Sequence, residues 1–379
     1  MTWLAGIAGV LLWLATCSSL LRTLVVPRGS SGLTMYKNRG VRWCFTSVAR
    51  RLPSYRARDR VLLWQAPLSI LTSLVMWLLM FYVSYGLLMF ATSELGVRAS
   101  FREAGSSLFT LGFASEDRAT LTALDFIAAA TGPIAIGLLI GYLPTMYAAY
   151  QRREAEVTLI LSRAGEPNWG PELLARHANV GITSKLDLLW PAWEAWAADV
   201  GESHTNFPIL IYMRSARPNR NWLISLLCVM DAAAIHMSLN PGTAPVRTGT
   251  STRLLYPGHQ QASMRLLLRQ GITCLRELAD VVRIPYDPDP SPDRPSAVTF
   301  EEFLSACQML TAAGYQAERT PEQAYPHFRG WRANYESLAY SLASNIDAVR
   351  APWSGDRVRS EAIVSPTRPV NRTPSEAAD

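Results

Sequence analysis

Serine, threonine and glycine gather in Ser106-Ser107-Leu108-Phe109-Thr110-Leu111-Gly112-Phe113-Ala114-Ser115. Their spacing suits one chemistry, the replacement of a cation's water by oxygen ligands. Backbone carbonyls do this when successive C=O groups are held towards one axis, which demands unusual backbone angles and hence glycine at fixed places. Gly112 fills such a place, and the Thr110 hydroxyl stands at one end of the row. Elsewhere the reactive residue types do not assemble. Glu202-Ser203-His204 has the letters of a hydrolase but no Gly-x-Ser-x-Gly elbow. Asp231 and His236 are five apart and do not share a helix face well, so they make a poor metal pair. Trp190, Trp193 and Trp196 read as a packing stripe. Cys17, Cys44, Cys228, Cys274 and Cys307 are scattered without a CxxC pair, as in a reduced compartment. We expect no enzyme and no bound cofactor; the expected ligand is a permeant monovalent cation.

The serine-rich stretch is too short and too flanked by charge to cross a bilayer, so its neighbours must hold it. Only 17% of the 379 residues are charged, against roughly 25% in soluble domains. The deficit lies in residues 1–150, where three apolar runs exceed the roughly 20 helical residues that span a bilayer. The first is Trp3 to Val26, within a segment 1–26. No positive region precedes it, as a secretory signal would need, so it reads as a retained helix. Residues 27–60 follow as a basic loop. Between Arg22 and Arg60 lie Arg22, Arg28, Lys37, Arg39, Arg42, Arg50, Arg51, Arg56, Arg58 and Arg60, opposed only by Asp59. The positive-inside rule puts this loop in the cytoplasm and explains much of the net charge of +6 without nucleic acid. Within it, Val41 to Leu52 is either an interfacial helix on anionic lipid or a solvated loop.

Residues 61–91 then run outward and 121–149 return, ending at Gln151-Arg152-Arg153. The segment between them, 92–120, has no basic excess, as expected outside. The predicted topology is a multi-pass protein of the plasma membrane, N-terminus outside and C-terminus cytoplasmic. In the returning helix Gly137 and Gly141 form a GxxxG pair, read either as a hinge or as a close-packing site. Pro133 and Pro144 invite kinks. Asp125 either draws cations to an outer mouth or caps the helix near its start.

From Glu154 the chain reads as soluble and helical. Helices are predicted over 154–162, 171–178, 184–200, 221–239, 261–283, 299–315 and 321–346. Residues 151–353 form an all-α cytosolic domain and 354–379 a disordered tail in this reading. Residues 222–239 are apolar enough to tempt a fourth span, but Asp231 and His236 make a buried soluble helix the better assignment.

Residues 61–150 resemble the two-helix pore module of the potassium-channel superfamily: outer helix, pore helix, filter, inner helix. Set on the signature Thr-x-Thr-Thr-Val-Gly-Tyr-Gly-Asp, the chain offers Ser107, Leu108, Phe109, Thr110, Leu111, Gly112, Phe113, Ala114 and Ser115. Thr110 and Gly112 are identical; Phe109, Ala114 and Ser115 depart. The resemblance implies a pore helix over about 100–108, with Ser106, Ser107 and Phe109 at its end. It implies a filter of Thr110, Leu111, Gly112, Phe113 and Ala114, and four copies around one axis. An inner-helix hinge at Gly137, Gly141 and Pro144 goes with it. If the second glycine position is left-handed, the Ala114 Cβ costs roughly 1–2 kcal/mol per subunit. The expected fold is thus an all-α membrane protein: an N-terminal helix, a two-helix pore module with a re-entrant loop, and an all-α cytosolic domain. Its expected partners are the lipid bilayer and three further copies of itself.

Overall fold

The structure is a computed structural model that describes residues 2–26, 32–114, 119–242 and 257–355. Every regular element among these residues is helical. They form two compact units. The first runs to Tyr150 and takes in Asn206–Arg214; the second holds Gln151–Thr205 and the chain from Ser215. The predicted tail 354–379 lies, beyond Gly355, outside the described residues.

Unit 1 begins with α1 (Thr2–Leu24), α2 (Gly32–Ala49), α3 (Tyr55–Leu62), α4 (Gln65–Thr92) and α5 (Val97–Leu108). It continues into α6 (Ala119–Ala164). Helices α1 and α4 approach closely because Gly9 has no side chain: a Cβ there would sit 2.9 Å from the Leu88 side chain. The polar groups at this seam pair across helices, as an apolar solvent requires. Ser84 donates to the Gly9 carbonyl at 2.9 Å, Trp77 Nε1 to Ser19 at 3.1 Å and Trp13 Nε1 to the Tyr85 hydroxyl at 2.9 Å. That hydroxyl lies 2.7 Å from Thr131 of α6, joining three helices. Trp77, Phe81, Tyr85, Met89, Ala104, Leu108, Leu121, Ala128 and Ala135 fill the core. The basic segment holds two helices, of which α2 begins nine residues before the stretch 41–52, read as an interfacial helix or a solvated loop, and ends within it. It packs on α4 through Lys37, whose ammonium donates to Ser69 and, at 2.7 Å, to Ser73.

Helix α6 corrects the sequence expectation of two helices, 121–149 and 154–162. It is one helix of 46 residues, uninterrupted at Pro133 or Pro144. Residues 150–154 contain no glycine or proline, and arginine, glutamine and glutamate all propagate a helix readily.

Unit 2 takes the last turns of α6, then α7 (Gly170–Asn179), α8 (Leu186–Asn206), α9 (Trp222–Leu239) and α10 (Pro257–Val282). It ends with α11 (Phe300–Ala312), α12 (Pro321–Ala333) and α13 (Glu336–Asn345). Its centre is α9, started by Asn221, whose side chain accepts from the Leu223 and Ile224 amides. Helices α7, α10, α12 and α13 pack around it. Gly170 lets α7 close in: a Cβ there would stand 2.9 Å from the Ala232 nitrogen. The single helix expected over 321–346 is two helices, parted at Asn334-Tyr335. Tyr335 is fully buried and gives its hydroxyl to Asp231 at 2.8 Å.

By length and composition, four helical stretches among the described residues are able to cross a membrane: α1, α3 with α4, α6 and α9. The chain buries 22%, 33% and 22% of the apolar stretch in the first three, and 94% of it in α9.

Candidate functional site

Helix α5 lies against α4 and α6. Small residues set the approach. A Cβ on Gly86 of α4 would stand 2.8 Å from the Phe101 ring, and one on Gly132 of α6 only 2.2 Å from the Leu108 carbonyl oxygen. Tyr82 meets Phe101 edge to face, with centroids 5.5 Å apart. Ser107 donates its hydroxyl to Asp125, tying α5 to α6. Asp125 is the seventh residue of α6, too deep to cap it, and its bond to Ser107 gives it a bracing role that neither earlier reading named.

The loop folds back over the end of α5. Thr110 N–H donates to the Ser107 carbonyl at 2.9 Å and Leu111 N–H to the Ser106 carbonyl at 2.7 Å. Thr110 between them is left-handed, with φ 56°. This is a Schellman closure with Thr110 where glycine is usual. Gly112 is also left-handed, φ 69°, and its N–H reaches the same Ser106 carbonyl at 3.4 Å. The Ser106 hydroxyl accepts from the Ala114 amide at 3.0 Å. One buried serine thus holds three amides of the loop. Thr110 Oγ1 donates to the Phe109 carbonyl at 2.8 Å, and the Arg102 guanidinium lies 5.4 Å from the centre of the Phe113 ring. Among the described residues no group donates to the carbonyls of Thr110, Leu111, Gly112 or Phe113. Phe109, Leu111 and Phe113 are about half exposed or more.

Two expectations change here. Ala114 is not left-handed, so the Cβ cost assigned to it falls on Thr110 instead. The turn uses its left-handed residue to cap a helix, four positions earlier than the signature suggests. Helix α5 starts at Val97, one turn ahead of the expected 100. Ser115 lies outside the described residues.

Gly137, Gly141 and Pro144 are exposed on α6, and a Cβ on either glycine would meet nothing within 4 Å. The close packing of α5 belongs to Gly132, one of the small residues of the returning helix, and to Gly86, which the sequence reading did not single out. The helix runs unbroken through all three hinge candidates.

The other candidates are structural. His204 Nε2 lies 3.0 Å from Arg153 Nη1, which only donates, so Nε2 accepts and the proton sits on Nδ1. Ser203 Oγ is 3.0 Å from that Nδ1, so His204 has no lone pair to activate it. Burial, with the Arg153 charge beside it, holds His204 well below the usual histidine range. Asp231 binds Arg332 Nε at 3.0 Å, and His236 Nδ1 lies 2.7 Å from the Tyr315 hydroxyl, so they do not converge on a metal. Among the described residues no His, Cys, Asp or Glu cluster suits a metal ion. Trp190, Trp193 and Trp196 are buried, the last two with centroids 4.5 Å apart. The five cysteines are free thiols.

No protein-family model, curated protein or solved structure matches this chain.

Proposed function

We propose that the chain is a homotetrameric pore-loop cation channel of the plasma membrane, potassium-channel-like, conducting passively. The observation that carries this reading is the seating of α5 against α4 and α6, with residues 109–114 folded back over its end. Glycines fit the short helix to both neighbours, and the Ser107–Asp125 bond braces it. The loop's carbonyls at Thr110, Leu111, Gly112 and Phe113 have no donor among the described residues. Carbonyls left over by the fold are what a dehydrated cation needs. The exposed apolar tips Phe109, Leu111 and Phe113 favour further copies around the loop, since such a patch is costly in water. The basic segment from Arg22 to Arg60 favours a cytoplasmic C-terminus.

A second reading has its own observation. The Schellman closure at Ser106–Leu111 satisfies the loop's first amides within one chain, as a non-conducting membrane-anchored signalling or scaffold protein would have it. Purified full-length chain in liposomes separates the two. The channel reading expects K+ or Na+ flux from a tetramer. A monomer in mild detergent, or a tetramer silent across voltage and pH, overturns it.

A further inference from the structure

The chain enters unit 1 a second time at Asn206–Arg214. Leu210 and Ile211 are buried there. Leu210 and Met213 pack with Ala66, at the start of α4, and with Met146 and Ala149 of α6. Phe207 meets Tyr142 edge to face at 5.2 Å, and Tyr150 donates its hydroxyl to the Arg214 carbonyl at 3.0 Å. Arg214 forms a shielded ion pair with Asp59 of α3 and reaches the Tyr55 hydroxyl. Arg42 of α2 donates to the Tyr212 hydroxyl at 3.1 Å and lies over its ring. One short segment therefore grips α2, α3, α4 and the part of α6 remote from the loop.

The chain beyond two of its three crossings, Tyr150–Gln151 and Thr205–Asn206, is fastened too, within unit 2. Just past Tyr150, Arg153 binds His204 at 3.0 Å and Arg152 pairs with Asp199 at 2.9 Å. Trp196 Nε1 donates to the Arg153 carbonyl at 3.3 Å. Within each unit, the stretch next to Tyr150–Gln151 is thus bound to residues beside Thr205–Asn206 or within Asn206–Arg214.

We infer that Asn206–Arg214 is a coupling strap, through which the packing state of unit 2 acts on the end of α6 opposite the loop. As regulation of conduction this rests on the channel reading; as mechanical coupling it does not. A segment that grips four helices by burial, an ion pair and an aromatic contact transmits a displacement better than a solvated linker, because packed contacts do not deform continuously.

Hydrogen exchange on the full chain in lipid nanodiscs tests it. Glu336→Gln loosens unit 2 at a carboxylate that holds Arg332 and the Ala297 amide. Leu210→Asp releases the strap; Arg214→Ala, which removes the side-chain ties to Asp59 and Tyr55, serves if that variant does not fold. In the wild-type background Glu336→Gln should speed exchange over residues 142–150 at least about fivefold. In the strap-released background it should leave them unchanged. A response that survives strap release would mean α6 alone carries the coupling, and no response in either background would mean there is none; either result overturns the strap. K+ flux from the same preparations in liposomes reads the channel separately. Coupling without flux in the wild type would sink the channel reading and leave the strap standing.

Discussion

Helices α4 and α9 have much the same apolar composition and opposite surroundings. Helix α9 is enclosed by its own chain on nearly every side, whereas α4 leaves Leu68, Leu71, Val75 and Leu79 exposed. Apolarity therefore says only that water must be kept away, not what keeps it away. The polar residues discriminate better. On α9, Asp231 meets an arginine and a tyrosine, and His236 meets a tyrosine, all from helices or turns far along the chain. On α4, Ser84 and Trp77 bond to the neighbouring α1 through a backbone carbonyl and a serine. Charge balanced by distant charge holds the α9 core, whereas the α1–α4 seam trades uncharged groups between neighbouring helices, an arrangement compatible with an apolar surrounding.

The largest expected effect breaks the α9 side of this contrast. Arg332 is fully buried and holds Asp231, Glu336, the Tyr340 hydroxyl and the Trp353 carbonyl. Arg332→Ala strands two carboxylates and should cost unit 2 about 3–5 kcal/mol. Exchange of the α9 amides measures it. Unchanged protection there would refute the claim that this network holds the core.

Acid should act on the same unit. Burial pushes His236 down to about 4, and burial with Arg153 pushes His204 well below 6.5. Unfolded, each takes up a proton near pH 6.5, so the unfolded state binds more protons as the pH falls. The histidines' contribution is complete above about pH 6.5. For His236 it falls by roughly 1 kcal/mol per pH unit on the way down to pH 4, and His204 acts in the same direction. Denaturant midpoints of wild type and His236→Phe across that range test this; parallel curves would show His236 titrating normally.

Two glycines sharpen the α4 and α6 side. Gly132→Val drives a side chain into the Leu108 carbonyl and should cost about 1–3 kcal/mol, with loss of any flux. Gly137→Ala meets open space within the chain and should be neutral or slightly stabilising, because alanine favours the helix. A clear loss at Gly137, read by thermal unfolding of the detergent-solubilised protein, would show that another copy fills that face.

Much of the helical architecture was legible because its signals are local. Apolar run length marked α1, α4 and α6, and cap residues such as Asn221 and Thr299 stand where helices begin. What was missed depends on contacts remote in sequence. Nothing in Gln151-Arg152-Arg153 says whether a helix stops, and Tyr335 breaks 321–346 only because Asp231 waits for its hydroxyl. The segment Phe207-Pro208-Ile209-Leu210-Ile211-Tyr212-Met213 is apolar enough to be noticed, but its partners lie some 60 to 170 residues away. At the loop, the signature would put a left-handed residue at Ala114, whereas the backbone has them at Thr110 and Gly112.

That last point gives the smallest and most discriminating prediction. The signature puts the cost of a Cβ at Ala114; the backbone puts it at Thr110, φ 56°. Thr110→Gly removes a left-handed Cβ, and should stabilise each subunit by up to about 1 kcal/mol, allowing for the entropy glycine adds to the unfolded chain. Ala114→Gly relieves nothing and adds the same entropy, so it should destabilise by a few tenths to about 1 kcal/mol. Thermal unfolding of the two variants in one detergent ranks them, and opposite signs are expected. If Ala114→Gly is the stabilising change, the loop follows the filter register and the Schellman closure does not describe the working state. If Thr110→Gly stabilises and also abolishes cation preference, the left-handed threonine is a cost retained for conduction, since its hydroxyl occupies the Phe109 carbonyl and fixes which carbonyls remain for an ion.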